Sequence, residues 1–346
     1  MRRKIAVAGA GIYGSVAAIK LAEAGNDVYL FDPLGIMQAA SGINQYRVHA
    51  GYHYPRSVET VMEVMQARGE FIAMFSDAIV RNASHYYAIP RAGSLTTTED
   101  YVSAMDSFGL PLREVKPDWM DFGYIDTCWE VDEYLFDPEI LRQLLKEKLE
   151  SLDITFEKRR FEEVEQSEYD FVVYATYGLS GSHINLFSEV RFQVAEKILV
   201  RFPEALQHVS LVVVDGPFTA FDAYGSSDTS LFGSARYTNH WTSYDESEPL
   251  PEQFVGRMNL PTFEPFENTR FEQMVEGAME VTPLAKDAEY LGSRFTMRIV
   301  ENRPGDDRRI LHVRKSEPGV VHLFSGKVVS AVKAAELVCQ MVEEDG

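Results

Sequence analysis

Hydrophobic and polar residues follow two different periods over the first thirty positions of the chain. Residues 4–8 are mostly apolar and β-branched or small, which predicts a short buried β-strand. Residues 12–24 carry apolar side chains at helical spacing, which predicts a helix whose buried face includes Ile12, Val16, Ile19 and Ala24. Residues 27–31 again have the composition of a strand. This order predicts a βαβ unit at the start of the chain.

Three glycines lie in the turn between the first strand and the helix. Gly9, Gly11 and Gly14 form G-x-G-x-x-G, a pattern that allows a tight turn, close approach of a pyrophosphate and close packing of helix on strand. Asp32 follows 18 residues after Gly14 (32 − 14), where a carboxylate accepts ribose hydroxyls. The helix N-terminus offers N–H groups and a positive dipole end to the pyrophosphate. We therefore predict a dinucleotide site. The motif does not distinguish FAD from NAD, and a glycine-rich turn without a ligand is the alternative.

The same kinds of pattern predict elements along the rest of the chain. Asp137 and Pro138 open a helix, with the aspartate as N-cap and the proline in the first turn. Further predicted helices cover residues 58–76, 98–108 and 328–342, and predicted strands cover 154–156, 170–175 and 319–324. The pattern predicts two short strands within residues 86–97 and several short strands separated by turns within residues 190–235. In residues 245–283 the pattern favours helix.

These elements indicate two interleaved domains. The βαβ start and the strand-turn-helix end cannot bury a sheet separately, so we expect them to share one. We predict an α/β protein in which a Rossmann-type nucleotide-binding domain comprises residues 1–80, 137–188 and 295–346. A β-rich substrate domain with a mixed or antiparallel sheet is expected to comprise residues 81–136 and 189–294.

The amino-acid composition limits the classes of binding partner and the cellular compartment that we expect for the protein. The net charge of −20 and the pI near 4.8 argue against nucleic acid and anionic membrane surfaces as partners. Cys128 and Cys339 form no C-x-x-C pair, which fits a reducing cytoplasm. The basic N-terminus before an apolar run resembles a signal peptide, but cleavage would destroy the glycine turn, so we expect a cytoplasmic protein. No stretch reaches the roughly 18 apolar residues of a membrane span.

Residues 39–57 have no sustained helical or strand period and are dense in polar, aromatic and small side chains. Such a segment is typical of a loop that wraps a ligand. In order with residues 9–32, 137–138, 170–178 and 303–331, it resembles the D-amino-acid-oxidase-like (DAO) family of FAD-dependent oxidoreductases. Residues 41–57 are locally most similar to its L-2-hydroxyglutarate dehydrogenase branch. Two segments depart from the family pattern, residues 326–331 and residues 303–308.

The resemblance implies that FAD binds in an extended form. It implies that the ADP part is held by Gly9, Gly11, Gly14 and Asp32, with Ser41 near the pyrophosphate. It further implies that residues 44–49, which include Asn44 and Gln45, run past the flavin ring, and that residues 175–178, with Thr176 and Gly178, are a second nucleotide contact. Gly326 would begin a helix facing the flavin, and the adjacent Lys327 would add a positive charge beside the reduced ring.

His49 is our candidate for the catalytic base, because histidine has a pKa near the working pH for removal of a hydroxyl proton. A loop histidine that only packs is the alternative. We expect Arg47, Tyr54 and Arg303 to bind the substrate, with Arg56 and Arg298 as further arginines able to hold a carboxylate. The histidines are scattered and the cysteines form no cluster, so no metal site is predicted.

We therefore expect an FAD-dependent oxidoreductase that removes hydride from a CH–OH carbon of a small polar substrate, which we expect to bear a carboxylate. The alternatives are oxidation of a CH–NH bond in an amine or amino acid, an NAD-dependent dehydrogenase, and a flavin-binding protein without this chemistry. The sequence leaves open the substrate, the electron acceptor, the attachment of the flavin and the oligomeric state.

Overall fold

A computed structural model describes residues 2–177, 189–302 and 308–345. Gly178 and Arg303, two of the predicted site residues, lie outside these ranges. The helices are α1 Ile12–Glu23, α2 Val58–Met74, α3 Thr98–Ser107, α4 Pro138–Ser151, α5 Phe271–Met279 and α6 Ala331–Glu344. The strands are β1 Lys4–Ala8, β2 Asp27–Phe31, β3 Arg47–Val48, β4 Ile79–Val80, β5 Ser84–Pro90, β6 Arg113–Glu114, β7 Ile125–Val131, β8 Tyr134–Phe136, β9 Thr155–Glu157, β10 Phe171–Tyr174, β11 Val190–Arg201, β12 Val209–Val213, β13 Thr219–Ala223, β14 Ser230–Ser234, β15 Asn239–Ser243, β16 Glu289–Glu301, β17 His312–Glu317 and β18 Val320–Phe324.

The chain start, middle and end share one sheet, in the order β17-β18-β10-β1-β2-β9. Strand β1 pairs in parallel with β2 on one side and with β10 on the other, so the chain changes direction across the sheet at β1. Ligands of such sheets bind beyond the carboxyl ends of the strands at this switch point. Helices α1, α4 and α6 contribute buried apolar residues to the core of this layer. The predicted Rossmann-type arrangement is confirmed.

A nine-stranded sheet forms the β-rich part, in the order β15-β11-β14-β13-β12-β5-β7-β6 with β16 beside β11. Its longest pairing is antiparallel, from Val190 opposite Glu301 to Arg201 opposite Glu289. The sequence analysis missed β16, because its polar residues Arg294, Thr296 and Ser293 are buried in the structure instead of facing water. The predicted boundary between residues 294 and 295 falls inside this strand.

A third sheet, in the order β3-β8-β4, joins the two larger ones. It anchors the loop of residues 39–57, since Arg47 and Val48 pair with Leu135 and Tyr134. The loop otherwise forms only a 3₁₀ turn at Ala40–Gly42, in agreement with its lack of periodicity.

The helix boundaries follow local capping chemistry. Asp137 caps α4 by accepting the backbone N–H groups of Glu139 and Ile140 at 2.9 and 3.2 Å, as predicted. Helix α3 is capped by Thr97, whose hydroxyl accepts the N–H of Asp100 at 3.1 Å. At the C-terminus a 3₁₀ turn at Val328–Ser330 precedes α6. No helix in the described ranges is long and apolar enough to cross a membrane.

The contact of α1 with the end of β1 can be tested at Gly14. A Cβ on Gly14 would lie 1.8 Å from the Gly9 carbonyl oxygen, so Gly14→Ala forces the helix away from the strand. We expect the free energy of unfolding in urea to fall by about 1–3 kcal/mol, the usual cost of overpacking.

Gly69→Ala on α2 is the matched control, since no atom lies within 4 Å of its added Cβ. This exposed helical site should gain about 0.5–1 kcal/mol from the better helix former. Equal unfolding free energies for the two variants would contradict the packing argument.

Candidate active site

The turn after β1 brings the N-terminus of α1 to a cavity wall. Gly9 has φ +99°, and a Cβ there would lie 2.6 Å from the Ala175 carbonyl oxygen, so only glycine fits. Gly11 lines the cavity and would clash with Ser41 Oγ if it carried a side chain. The Ile12 N–H donates to that same Ser41 Oγ at 2.9 Å. Because the first turn of α1 has no acidic residue, an anion such as a pyrophosphate fits this end.

Asp32 lies at the end of β2 and also lines the cavity. Its Oδ2 accepts the Ala10 N–H at 2.9 Å, and its Oδ1 accepts the N–H groups of Leu34 and Gly35 at 2.8 and 3.0 Å. A carboxylate oxygen has two lone pairs, so Oδ2 retains acceptor capacity. The backbone thus holds Asp32 in place for a ribose hydroxyl.

The remaining predicted cofactor residues have different surroundings. Asn44 uses its amide within the loop, where Nδ2 donates to the Ala40 and Ser41 carbonyls and Oδ1 accepts the Tyr46 N–H at 2.7 Å. Asn44 thus shapes the cavity wall. Gln45, Thr176 and Gly326 also line the cavity.

The cavity has a volume of about 710 Å³ and extends from Asp32 past Ser41 and His49 to Lys197 on the nine-stranded sheet. It therefore lies between the switch point of the parallel sheet and one face of the larger sheet. Its volume falls in the range of about 300–1,000 Å³ typical of ligand and cofactor sites. The glycine turn, Asp32 and this continuous shape together fit an extended dinucleotide.

The guanidinium of Arg47 lies against two protein carboxylates, which changes its expected role. Nη1 is 2.8 Å from Glu133 Oε2 and Nη2 is 2.5 Å from Asp222 Oδ1. Arg47 is only 3% exposed. We call Arg47, Glu133 and Asp222 the buried charge network. Arg47 also lines the cavity, but internal acids already neutralise its charge. This arrangement disfavours the predicted contact of Arg47 with a substrate carboxylate, which stays a prediction.

Glu133 connects this network to His49. Its Oε1 accepts the Ala50 N–H at 2.9 Å and lies 3.5 Å from His49 Nδ1. Its Oε2 accepts the Tyr87 hydroxyl at 2.8 Å. Burial acts to raise the pKa of Glu133, but the contacts with His49 and Arg47 outweigh it and hold that pKa well below the usual range. Glu133 is therefore ionised.

His49 is mostly buried, with its side chain 13% exposed at the cavity. Burial lowers the pKa of His49 to about 4, and the charge of Lys327 acts in the same direction while Glu133 opposes it. The imidazole is thus neutral at pH 7. His53 and Tyr54 pack beside it, with ring centroids 5.5 and 5.7 Å away. In the described ranges no group of His, Cys, Asp or Glu side chains could hold a metal ion.

Lys327 reaches the same part of the cavity from the C-terminal segment. It is 4% exposed, and its Nζ lies 3.8 Å from the centroid of the Tyr54 ring. Burial lowers its pKa well below the ordinary value, and the charge of Arg47 acts in the same direction. A nearby negative charge would favour its protonated form. Tyr54 lines the cavity as the aromatic partner of this lysine, and its contact with the substrate stays a prediction.

A second group of cations, which the sequence analysis did not bring together, lies on the nine-stranded sheet. Lys197 on β11 and Arg298 on β16 line the cavity, as does Arg309. Burial lowers the pKa of Lys197 to about 8, and the like charges of Arg298 and Arg309 act in the same direction. Alternation along a strand puts Lys197 on the face of Ala195, but the sequence does not show which face meets a cavity.

Comparison with solved structures shows the fold. Glycine oxidase from Geobacillus kaustophilus superposes with a TM-score of 0.75 at 15% identity, covering 99% of this chain and 95% of that one. L-amino acid deaminase from Proteus vulgaris superposes with a TM-score of 0.69 at 16% identity, covering 99% and 94%. At such low identity these likenesses describe architecture alone.

Comparison with curated sequences shows a match over part of the chain. The FAD-dependent monooxygenase FPY4 of Fusarium mangiferae is 26% identical over 224 residues, which are 62% of this chain and 59% of that protein. The chain thus spans about three fifths of the length of this relative.

Residues 4–193, more than half of the chain, match the sequence profile of the family described as FAD dependent oxidoreductase. This match covers the glycine turn, Asp32, the loop that carries His49, and Glu133. The chain belongs to the DAO family of FAD-dependent oxidoreductases.

Proposed function

We propose that this enzyme oxidises a CH–OH carbon of a small, carboxylate-bearing substrate. The observation that carries the proposal is His49 at the cavity wall with the buried carboxylate of Glu133 behind it. A carboxylate behind a neutral imidazole is the arrangement of a general base whose orientation is held by an acid. The likeness of residues 41–57 to L-2-hydroxyglutarate dehydrogenase supports the same substrate class.

His49 takes the hydroxyl proton in this proposal. It is neutral, it faces the cavity, and no hydrogen bond from the described residues reaches its Nε2. The negative charge of Glu133 favours the imidazolium that forms, whereas Lys327 disfavours it.

FAD, when bound, supplies the hydride acceptor that protein side chains lack. The residues proposed to hold it are Gly9, Gly11, Gly14, Asp32, Ser41, Thr176 and the segment at Gly326. Lys327 is proposed to place a positive charge near the ring, where the burial of its Nζ strengthens any interaction with an anion.

The substrate carboxylate is proposed to bind at Lys197, Arg298 and Arg309. In a chain of net charge −20, a partly buried group of cations lining one cavity favours an anionic ligand there. Binding of the substrate by Arg303 stays a further proposal.

Oxidation of a CH–NH bond is the alternative. Oxidation of a neutral amine involves no hydroxyl proton, so it does not need a base for that step. A pKa of about 4 also makes His49 a weak base. Glycine oxidase and L-amino acid deaminase, which share the fold, are named for amino acids.

An absorption spectrum followed anaerobically decides between these two. We expect flavin bands near roughly 370 and 450 nm that bleach when 2-hydroxy acids are added. Bleaching with amino acids alone would establish the CH–NH alternative. A flavin that no substrate of either class reduces would indicate a flavin-binding protein without this chemistry, and a protein that takes up no FAD would overturn the proposal.

His49→Gln tests the base. We expect kcat/KM for the hydroxy acid to fall by about 10²- to 10⁴-fold, because the proton has no acceptor, while the flavin spectrum is unchanged. In the wild type, kcat/KM should fall as the pH drops through the pKa of about 4, because protonated His49 cannot accept a proton. It should also fall as the pH rises through the pKa of about 8 of Lys197, because the uncharged amine no longer attracts the substrate carboxylate.

His208→Asn is the control for this variant, since His208 lies outside the cavity lining and asparagine tolerates its φ of +56°. Equal kcat/KM values for the two variants would remove His49 from the mechanism.

Lys197→Met tests the anion site. Losing a buried charge opposite a carboxylate should raise KM about 10- to 100-fold, or about 1.4–2.7 kcal/mol, with a smaller effect on kcat. Lys333→Met on α6, whose Nζ donates to Gln66 away from the cavity, is the charge-matched control. An unchanged KM in Lys197→Met would place the carboxylate elsewhere.

A further inference from the structure

We propose that Glu133 is a positioning residue that holds His49 in the tautomer with a proton on Nδ1, so that the Nε2 lone pair faces the cavity. This inference rests on the proposed function, because it assigns His49 a proton to accept. It extends that function to a residue that does not line the cavity and that no motif in the sequence marks.

The two carboxylate oxygens of Glu133 have different hydrogen-bond partners. Oε2 is held by Arg47 Nη1 and by the Tyr87 hydroxyl, each at 2.8 Å. Oε1 accepts the Ala50 N–H at 2.9 Å and is left facing His49 Nδ1 at 3.5 Å. Since the Glu133 side chain is 0% exposed, water does not compete for these contacts. Its carboxylate therefore points at one nitrogen of the imidazole.

An ionised carboxylate can only accept a hydrogen bond. The nitrogen that faces it must therefore carry the proton, and the other ring nitrogen must then be the acceptor. Nδ1 is buried and makes no hydrogen bond of ordinary geometry with the described residues, so its polar contact is the 3.5 Å approach of Glu133 Oε1, while His49 itself lines the cavity. The opposite tautomer would direct two lone pairs, those of Nδ1 and Oε1, at each other.

Asp222 completes the arrangement through Arg47. The Asp222 carboxylate contacts Arg47 Nη2 and accepts the Ser210 hydroxyl at 2.6 Å. Because Asp222 belongs to β13, this strand also fixes the position of the guanidinium. The charged and titratable groups around His49 include Glu133 and Arg47 of the network, and Lys327 from the C-terminal segment. They also include His53 and Tyr54 of its own loop and buried His85 of β5. Among these, Glu133 is the carboxylate.

The nine-stranded sheet contains a matched pair for comparison. Glu196 Oε2 lies 2.7 Å from His240 Nε2, and both side chains are at most 3% exposed. Phe254, Phe266 and Phe295 surround this histidine, and it does not line the cavity. Glu196→Gln therefore alters a buried acid–histidine pair without touching the site.

The tautomer can be measured directly on the flavin-loaded wild type. Two-dimensional NMR of protein with ¹⁵N-labelled histidine distinguishes a protonated ring nitrogen from a bare one, and His49→Gln identifies which of the eight histidine signals belongs to His49. We expect Nδ1 protonated and Nε2 bare at pH 7. A proton on Nε2 instead would overturn the proposal, whatever the substrate.

Glu133→Gln tests the consequence. Its amide can donate to Nδ1, which favours the opposite tautomer, so we expect the NMR pattern to invert and kcat/KM to fall on the order of 10²- to 10⁴-fold. Loss of the negative charge should also move the acid limb of the pH profile to lower pH, because the imidazolium is then less favoured. Glu133→Asp should recover part of the activity. Glu196→Gln should change only the His240 signals.

The outcomes separate this inference from the proposed function. An unchanged His49 tautomer in folded Glu133→Gln would refute the positioning role even if hydroxy acids reduce the flavin. If the wild type shows the expected tautomer but its flavin is reduced only by amino acids, the positioning of His49 by Glu133 is supported. The proposal that His49 accepts a hydroxyl proton from the substrate is then refuted. Should Glu133→Gln fail to fold, the tautomer of His49 in the wild type still tests whether Nδ1 carries the proton.

Discussion

The guanidinium of Arg47 between two buried carboxylates holds the site together. It links three separate parts of the chain, namely β3, the connection between β7 and β8, and β13. Burying such charges is favourable only when each is paired, and removing one partner typically costs about 3–5 kcal/mol. The loop that carries His49 depends on this contact, because that loop has little regular structure of its own. The position of His49 is thus a consequence of electrostatics in a dry interior.

The charge of the cavity is opposite to that of the whole chain. The net charge of −20 keeps anions away from most of the surface, yet Lys197, Arg298, Arg309 and Lys327 line one cavity. Burial lowers the pKa of both lysines, so they bind protons more weakly without an anion nearby. An anionic ligand would favour the protonated form of both lysines. This property fits either proposed class of substrate, CH–OH or CH–NH, if that substrate bears a carboxylate.

Much of the nucleotide-binding half could be predicted from local patterns. The positive φ of Gly9 and the close contact of Gly14 with Gly9 are requirements of a single turn. Asp137 with Pro138 likewise sets a helix start, through hydrogen bonds to groups only two and three residues away. Strand β16 was missed because its polar side chains are satisfied by distant partners, such as Arg294 by the Gly42 carbonyl at 3.1 Å. Periodicity reflects burial only when polar residues face water.

The sequence by itself determined the glycine turn, the parallel strands around it and the family, since these depend on side-chain size and hydrophobicity at short range. Only the tertiary structure decided the role of Arg47, the partner of His49 and the place of Lys197. Those roles depend on which charges meet in the interior, over separations of 86 residues for Arg47 and Glu133. Arginine, glutamate and lysine look the same in a sequence whether they face water or each other, and the free energy of a charge is set by its surroundings.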